Sequence, residues 1–179
     1  MKTILRNKIL KKINYLTYDE VQSNSSKVRE LILLFLENEN FKNIGIYNSF
    51  KNEIIIENIK FNSNVNIYAP AYNSNKSLYN FKKIDKNSKN IIGNFNILEP
   101  TGKIINTNYI DVILVPGIAF DHTGNRLGRG KGFYDKLLEN YRGIKIGICH
   151  NIQLINKVPN EPNDISMDFI CTENSLFKT

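Results

Sequence analysis

One stretch, residues 111–135, constrains the fold of this chain more than any other. Residues 111–115 form an almost continuous apolar run, which is typical of a strand buried on both faces of a parallel sheet. A glycine-rich basic loop and the start of a helical pattern follow at once. Glycine lets backbone N–H groups turn towards one point, and cations and a helix N-terminus add positive charge there. The stretch therefore predicts a strand–loop–helix unit that binds an anion such as phosphate. The glycines and cations of this loop are Arg126, Gly128, Arg129, Gly130, Lys131 and Gly132.

Two better-known phosphate loops do not fit these residues. A P-loop ending in Gly130-Lys131 needs glycine at position 125 and serine or threonine at 132, where the chain has Asn125 and Gly132. A dinucleotide fingerprint that starts at Gly128 needs a small residue at position 133, which is Phe133. The alternative reading is an ordinary surface turn whose cations are only solvated.

Composition favours one globular domain, residues 1–179, since the chain is 41% hydrophobic and 23% charged. No apolar run approaches the roughly 18 to 20 residues of a membrane span, and the first residues lack a signal-peptide pattern. Cys149 and Cys171 lie in apolar, strand-like segments, as reduced core cysteines do. We expect a monomeric cytoplasmic protein with no membrane partner.

The formal net charge of +7 raises the possibility of a nucleic-acid partner. The lysines are, however, spread along the chain apart from short pairs such as Lys11-Lys12 and Lys82-Lys83. A dispersed positive field equally favours small anionic ligands. We therefore expect no nucleic-acid partner.

The apolar periodicity predicts strands that alternate with helices, which favours a three-layer α/β/α domain with a mostly parallel central sheet. Thr17 and Glu20 resemble a capping box that opens the second helix. Pro70 is expected to end one strand. The predicted helices are residues 2–16, 17–39, 53–59 and 132–141. The predicted strands are residues 43–47, 65–69, 78–84, 91–97, 111–115, 145–149 and 168–171, with 78–84 and 91–97 near an edge.

Five further side chains are candidates for a site. Lys2 and Arg6 are four residues apart and share one face of the first helix. Glu53 is expected at a loop-to-helix junction, Asp135 in the first turn after the glycine loop, and Asp164 in a loop. Two carboxylates near a phosphate cradle could share a magnesium ion. Taken singly, each has an ordinary structural reading as a solvated charge, a helix cap or a loop hydrogen bonder.

Residues 126–135 match almost letter for letter the signature of the 5-formyltetrahydrofolate cyclo-ligases, also called methenyltetrahydrofolate synthetases. Phe133 stands where tyrosine is common in that family. The resemblance implies the three-layer fold of ribose-phosphate isomerases and CoA transferases. Other segments that resemble the family, in the expected order, are residues 2–6, 46–53, 115–121 and 161–164.

The resemblance also implies a role for individual residues. Asp135 and Asp164 would hold magnesium, while Arg129 and Lys131 would neutralise charge on the transferring phosphoryl group. The folate would meet Asn48, Glu53, Arg129, Gly130, Lys131, Gly132 and Phe133. ATP would be held by Lys2, Thr3, Ile4, Leu5, Arg6, Arg126, Leu127, Gly128, Arg129, Gly130, Lys131, Gly132, Phe133 and Tyr134. Ala71 departs from the family, whose members often carry a basic residue there, so lysines elsewhere could instead meet the glutamate tail.

The implied reaction converts 5-formyltetrahydrofolate and ATP to 5,10-methenyltetrahydrofolate, ADP and phosphate. Two alternatives stay open from the sequence. The chain could be a sugar-phosphate isomerase or CoA transferase relative with the same fold, or a basic nucleic-acid-binding module.

Overall fold

The computed structural model describes residues 1–73, 78–84, 90–92 and 98–179. Its helices are α1 (Lys2–Asn14), α2 (Tyr18–Asn38) and α3 (Phe133–Leu138). The first strands are β1 (Asn43–Gly45), β2 (Asn66–Asn73), β3 (Leu78–Ile84), β4 (Asn90–Ile92), β5 (Leu98–Pro100) and β6 (Val112–Pro116). The remaining strands are β7 (Ala119–Asp121), β8 (Arg126–Leu127), β9 (Ile144–Ile148), β10 (Leu154–Ile155), β11 (Phe169–Cys171) and β12 (Leu176–Lys178).

A seven-stranded sheet forms the centre, in the order β12-β11-β9-β6-β1-β2-β3. The pairs from β11 to β2 are parallel, and the outermost pairs, β11 with β12 and β2 with β3, are antiparallel. β6 lies between β1 and β9, which explains why its sequence is apolar without alternation. The mostly parallel central sheet is confirmed, and β3 lies at an edge as predicted.

Helices cover both faces of this sheet. Val112 and Leu114 of β6 pack in the same core cluster as Val28 and Ile32 of α2. The alternate residues of β6 pack instead with Leu138 of α3. Two apolar clusters on opposite faces of one sheet make the three layers. Among the described residues, no helix combines the length and the apolar character needed to cross a bilayer.

The first helix packs against a separate three-stranded sheet rather than the central one. This small sheet has the order β10-β7-β8. Ile9 and Ile13 of α1 form a buried cluster with Ile118 and Leu127. The packing holds α1 beside the glycine-rich loop, because that loop begins where β8 ends.

The segment 53–59 was predicted to be a helix, and this prediction is wrong. It is an irregular segment in which Ile54, Ile56 and Ile59 are buried against the α2 side of the sheet. The isoleucine spacing suited a helix, but long-range packing onto the sheet decides the local conformation. Glu53 therefore lies in a turn instead of at a helix start.

Pro70 was predicted to end a strand, but β2 continues through it to Asn73. The β1 neighbour has ended at Gly45, opposite Tyr68, so no partner strand faces the proline nitrogen on that side. On the other side, β2 pairs with β3 through residues 67–73. Ala71 is buried within this pairing at 1% exposure.

Other boundaries differ from the predictions. α3 is shorter than the predicted 132–141, since it ends at Leu138. Of the predicted strand 91–97, only residues 91 and 92 are described, within β4, and residues 93–97 lie outside the described part of the chain. The sequence patterns also did not predict the short strands β5, β7, β8, β10 and β12.

Candidate active site

A cavity of about 630 Å³ opens at the carboxyl ends of β1 and β6. Along the chain, β1 leads to β2 on one side, whereas β6 leads to β9 and β11 on the other. Ligands of open α/β sheets bind where the strand order reverses in this way. Tyr47 and Asn48 follow β1 and line the cavity, as do Pro116 and Gly117 at the end of β6.

Arg126 anchors the glycine-rich loop at the cavity wall. Its side chain is 5% exposed, and Nη2 lies 2.8 Å from Asp135 Oδ1. The guanidinium also lies 5.5 Å from the centre of the Tyr134 ring. Its Nε has no hydrogen-bond partner among the described residues. A buried donor without a partner on a cavity-lining side chain suits a ligand that supplies an acceptor.

The first helix brings two cations to the same loop. Lys2 Nζ lies 2.6 Å from Asp164 Oδ2 and 3.2 Å from Glu161 Oε1. Burial lowers the pKa of Lys2, but the hydrogen bonds to both carboxylates outweigh it and raise that pKa. Arg6 Nε donates to Gly128 O at 2.8 Å. Both cations line the cavity, so their shared helix face is part of the cavity wall.

Glu53, which is distant in sequence from the glycine-rich loop, forms an ion pair with it. Arg129 Nη2 lies 2.6 Å from Glu53 Oε1, and the N–H of Phe50 donates to Glu53 Oε2 at 2.9 Å. Burial raises the pKa of Glu53, and the opposing effect of Arg129 does not cancel it. The Arg129 guanidinium lies 4.7 Å from the centre of the Phe50 ring. The result is a buried carboxylate held beside an aromatic face and a cation.

Aromatic rings line another part of the cavity. The Phe133 and Tyr79 rings lie 4.9 Å apart at 58°. Tyr79 in turn lies 5.4 Å from Tyr72. The Tyr79–Phe133 contact connects β3 with the start of α3, so the aromatic wall forms only when the sheet and the loop meet. Flat apolar rings of this kind suit a flat heterocyclic or aromatic ligand.

Two carboxylates suited to a metal ion also meet here. Asp135 and Asp164 both line the cavity, and Asp135 Oδ1 lies 3.5 Å from the N–H of Ile165, the residue after Asp164. Burial raises the pKa of Asp164, but hydrogen bonds from Lys2 and the Glu161 N–H lower it overall. Among the described residues there is no cluster of three or more potential metal-binding side chains. Two carboxylates fit magnesium, which completes its shell with water and substrate phosphates.

Most of the side chains predicted for the site do line the cavity. The exceptions are Thr3, Ile4 and Leu5. Thr3 and Ile4 are exposed, and Leu5 packs into the apolar cluster between α1 and the small sheet. The predicted residues that line the cavity are Lys2, Arg6, Asn48, Glu53, Arg126, Leu127, Gly128, Arg129, Gly130, Lys131, Gly132, Phe133, Tyr134, Asp135 and Asp164.

Several other lining residues had no role predicted from the sequence. Phe50 and Tyr47 belong to the segment 46–53, where the aromatic residues just before Glu53 were an available signal. Tyr79 is about 50 residues from the loop that it contacts, and local patterns carry no signal for such a contact. The lining residues without a predicted role are Tyr47, Phe50, Pro70, Tyr79, Pro116, Gly117, Leu137 and Glu161.

Asp121 shapes the loop although it does not line the cavity. Its Oδ1 accepts from the N–H and hydroxyl of Thr123 and from the Asn125 N–H. Its Oδ2 accepts from the Asn125 side chain and, at 2.8 Å, from the Val158 N–H. These bonds connect the turn before Arg126 to the segment that leads to Asp164.

Comparison with known proteins identifies a family for this chain. The model of the 5-formyltetrahydrofolate cyclo-ligase family matches residues 1–173. The chain belongs to this family. The resemblance predicted from the loop signature is therefore confirmed, over nearly the whole chain.

Individual relatives of the cyclo-ligase family match over most of their length. A 5-formyltetrahydrofolate cyclo-ligase of Haemophilus influenzae is 30% identical, over 91% of this chain and 92% of its own. The Saccharomyces cerevisiae enzyme of that name is 27% identical, over 98% of this chain and 97% of its own. The NMR structure of Aquifex aeolicus 5,10-methenyltetrahydrofolate synthetase superposes with a TM-score of 0.90 at 30% identity, covering 99% of this chain and 92% of that one.

Proposed function

We propose that this protein is an ATP-dependent ligase that converts 5-formyltetrahydrofolate to 5,10-methenyltetrahydrofolate, with release of ADP and phosphate. One observation carries the proposal beyond family membership. Arg129 of the glycine-rich loop holds Glu53 in the same cavity that contains Lys2, Arg6 and Arg126. A nucleotide held by the loop and a pterin held by Glu53 would thus be neighbours.

The folate would bind where Glu53 meets the aromatic rings. A carboxylate can accept paired N–H bonds from the amino and ring nitrogens of a pterin. Phe50 and Phe133 offer apolar faces to the flat ring system. Asn48 would line the same pocket, and residues 129–133 would contact the folate as well as the nucleotide.

The triphosphate of ATP would lie along the cations. Backbone N–H groups of Gly128–Gly132 would surround the phosphates, as in other glycine-rich anion sites. Lys2, Arg6 and Arg126 line that part of the cavity and neutralise charge. Leu127 and Tyr134 also line the cavity and would complete the nucleotide pocket.

Asp135 and Asp164 are the residues that would hold magnesium. They would bind it through carboxylate oxygens, and they are kept in place by Arg126 and Lys2 respectively. When bound, magnesium would neutralise negative charge on the triphosphate during transfer.

The chemistry needs activation because the formamide oxygen of the substrate is a poor leaving group. Transfer of the γ-phosphoryl group to that oxygen would release ADP and leave an iminium-like carbon. N10 then attacks this carbon and loses its proton to water, the carbon–oxygen bond breaks, and phosphate departs with that oxygen. Arg129 and Lys131 would stabilise charge on the transferring group, so the protein acts by positioning and electrostatics.

A spectrophotometric assay tests this function. ATP and magnesium are added to the protein and 5-formyltetrahydrofolate, together and separately, while near-ultraviolet absorbance of the methenyl product and release of ADP are followed. We expect product only when both are present. Arg129→Ala and Lys131→Ala should each lower turnover by roughly tenfold to a thousandfold, because each removes a transition-state contact.

The matched control is Lys136→Ala, which removes an exposed cation of α3 that does not line the cavity. It should keep full turnover. Full activity of both loop variants would contradict the assignment of the loop. Failure of the wild-type protein to release ADP with the formylated folate would favour an isomerase or CoA transferase relative instead.

Further properties belong to the same proposal. The family match over residues 1–173 supports a single catalytic domain over the whole chain. We propose that the protein acts as a monomer in the cytoplasm, on a small folate and ATP, without a nucleic-acid or membrane partner. Gel filtration at several protein concentrations tests whether the protein is a monomer.

A further inference from the structure

His150 is a fully buried side chain that the reaction above leaves without a role. It follows β9, and its Nε2 lies 2.9 Å from the backbone oxygen of Asn52. A carbonyl oxygen can only accept, so Nε2 carries the proton. Nδ1 lies 3.1 Å from the Asn24 amide nitrogen and therefore accepts from it. The partners of the ring thus define a neutral imidazole with one tautomer.

The oxygen that His150 binds belongs to the peptide bond that leads into Glu53. Residues 50–53 form a tight turn, in which the Glu53 N–H donates to Phe50 O at 3.3 Å and the Phe50 N–H donates to Glu53 Oε2. Lys51 within this turn has a φ of 55°, in the left-handed region that residues other than glycine rarely adopt. Such a conformation persists only where the surroundings impose it.

Three hydrogen bonds to groups outside the turn hold it in this conformation. The Asn52 side chain donates to the backbone oxygen of Ile13, near the end of α1, at 3.2 Å, and to that of Leu16, just beyond α1, at 3.4 Å. His150 holds the backbone of the same residue. These contacts come from different elements, so Asn52 is held from two directions while the neighbouring Glu53 side chain enters the cavity.

His150 is itself held in place. Its backbone N–H donates to Gln153 Oε1 at 2.8 Å, and Gln153 Nε2 donates to the backbone oxygens of Gly117 and Ile118. Gly117 lines the cavity at the end of β6. The turn after β9 thus connects the wall at Gly117 with the turn that carries Glu53.

We propose that His150 is a positioning residue that sets the location of Glu53 through Asn52 and so determines affinity for the folate rather than for ATP. This proposal rests on the proposed function, in which Glu53 binds the pterin. The proposed nucleotide residues lie on α1 and the glycine-rich loop, whereas the His150–Asn52 bond holds the turn that carries Glu53. Loss of this bond should therefore act first on the folate.

The charged groups that influence the ring are Glu20 from α2 and Glu173 after β11. Burial lowers the pKa of His150, against the bond to Asn52 and the influence of these two carboxylates. The ring therefore stays neutral at neutral pH, which keeps Nδ1 able to accept from Asn24.

Two polar substitutions separate a positioning role from a purely structural one. The amide nitrogen of a glutamine at position 150 can reach the place of Nε2 and donate to Asn52 O. An asparagine reaches only the place of Nδ1, next to Asn24. We expect His150→Asn to raise the KM for 5-formyltetrahydrofolate about tenfold, the equivalent of one lost hydrogen bond, and to change the KM for ATP less than about twofold. His150→Gln should stay near the wild-type values.

The control for lost stability is Val28→Ala, which removes buried volume from α2 one turn after Asn24. It should lower the Tm without changing either KM. The proposal is overturned if the asparagine and glutamine variants behave alike, if both KM values rise together, or if Val28→Ala raises the KM for the folate equally.

NMR tests the positioning role of His150 independently of whether the proposed function is correct. The backbone amide signals of Phe50 and Glu53 should move in His150→Asn and stay in place in His150→Gln, whether or not the protein turns over folate. Unmoved signals in both variants overturn the positioning role. In the wild-type protein, the long-range nitrogen–proton spectrum of His150 should show the Nε2–H tautomer, and a protonated Nδ1 overturns the proposal even if no variant folds.

Discussion

The carboxylate of Glu53 is less stable in the folded protein than in water. Its side chain is 12% exposed, whereas its partner Arg129 is 45% exposed. Burial therefore raises the pKa of Glu53 more than the ion pair and the Phe50 N–H lower it. Asp164 is the opposite case, because the hydrogen bonds from Lys2 and the Glu161 N–H lower its pKa. A buried carboxylate that is not fully compensated suits a ligand that brings its own donors.

This imbalance predicts how stability depends on pH. A carboxyl group whose pKa is raised from 4.5 stabilises the folded state below that value, and this contribution is lost as the pH rises through the folded pKa. Ionised Glu53 therefore costs stability near neutral pH. Glu53→Gln should raise the Tm near neutral pH, lose this advantage as the pH falls below about 4.5, and abolish folate turnover.

Thermal unfolding between about pH 4 and pH 8 measures this effect. The control Glu139→Gln removes an exposed carboxylate beside α3 and should leave folate turnover intact. A Glu53→Gln protein that melts below the wild type at neutral pH would contradict the explanation.

Among the elements, the glycine-rich loop between β8 and α3 depends most on unusual backbone conformations. Gly130 has a φ of 96° and Gly132, the residue before α3, has a φ of 63°. The second value lies in the left-handed region that asparagine tolerates, but the first lies beyond it. A Cβ on Gly130 would meet the Arg6 guanidinium at 3.5 Å, whereas one on Gly132 has nothing within 4 Å. The two glycines thus differ in how replaceable they are.

Gly130→Ala should lower the free energy of unfolding by about 1 to 3 kcal/mol, the usual cost of a strained backbone. It should also raise the KM for ATP, since a relaxed loop turns its N–H groups away from the phosphates. Gly132→Asn should cost less than about 1 kcal/mol, because its backbone conformation is allowed and the space is open. Urea unfolding followed by circular dichroism compares the two, and equal losses would refute the distinction.

In the molecule as a whole, the cavity is assembled from distant parts of the chain. Lys2 and Asp164 are 162 residues apart, and Arg6 and Gly128 are 122 apart. These contacts exist because α1 packs through Ile9 and Ile13 on the small sheet. The proposed nucleotide side of the cavity therefore depends on the docking of the first helix as much as on the loop.

Loss of these helix cations should weaken ATP binding and so remove the stabilisation that ATP gives the folded protein. A ligand at about 100 times its Kd stabilises a protein by about 2.7 kcal/mol, so magnesium and ATP should raise the Tm of the wild type. In Lys2→Ala/Arg6→Ala the same concentration should give little or no rise. The control Lys8→Ala/Lys11→Ala removes two exposed cations of α1 and should keep the full rise. An unchanged rise in the first double variant would mean that α1 does not bind the nucleotide.

Several features of the fold were predictable because their causes lie within a few residues. The Thr17–Glu20 capping box forms at the start of α2, as the sequence indicated. β6 is buried on both faces because each of its side chains is apolar. The glycine-rich loop before α3 followed from the spacing of its glycines. Local hydrogen bonds and side-chain periodicity determine each of these features, so no knowledge of the rest of the chain is needed.

The predictions that were wrong or missing concern features whose causes lie far apart in the chain. The isoleucines of residues 53–59 suited a helix, yet burial against α2 and the sheet gives an irregular segment. Pro70 stays within β2 because the neighbouring strand β1 ends before it. The residues around Pro70 do not indicate where β1 ends. The contacts of Tyr79 with Phe133 and of His150 with Asn52 join residues far apart in the chain. The amino-acid order thus specified the chemistry that this chain carries, whereas packing between distant segments decided which of those groups meet, because such contacts form only once the core has closed.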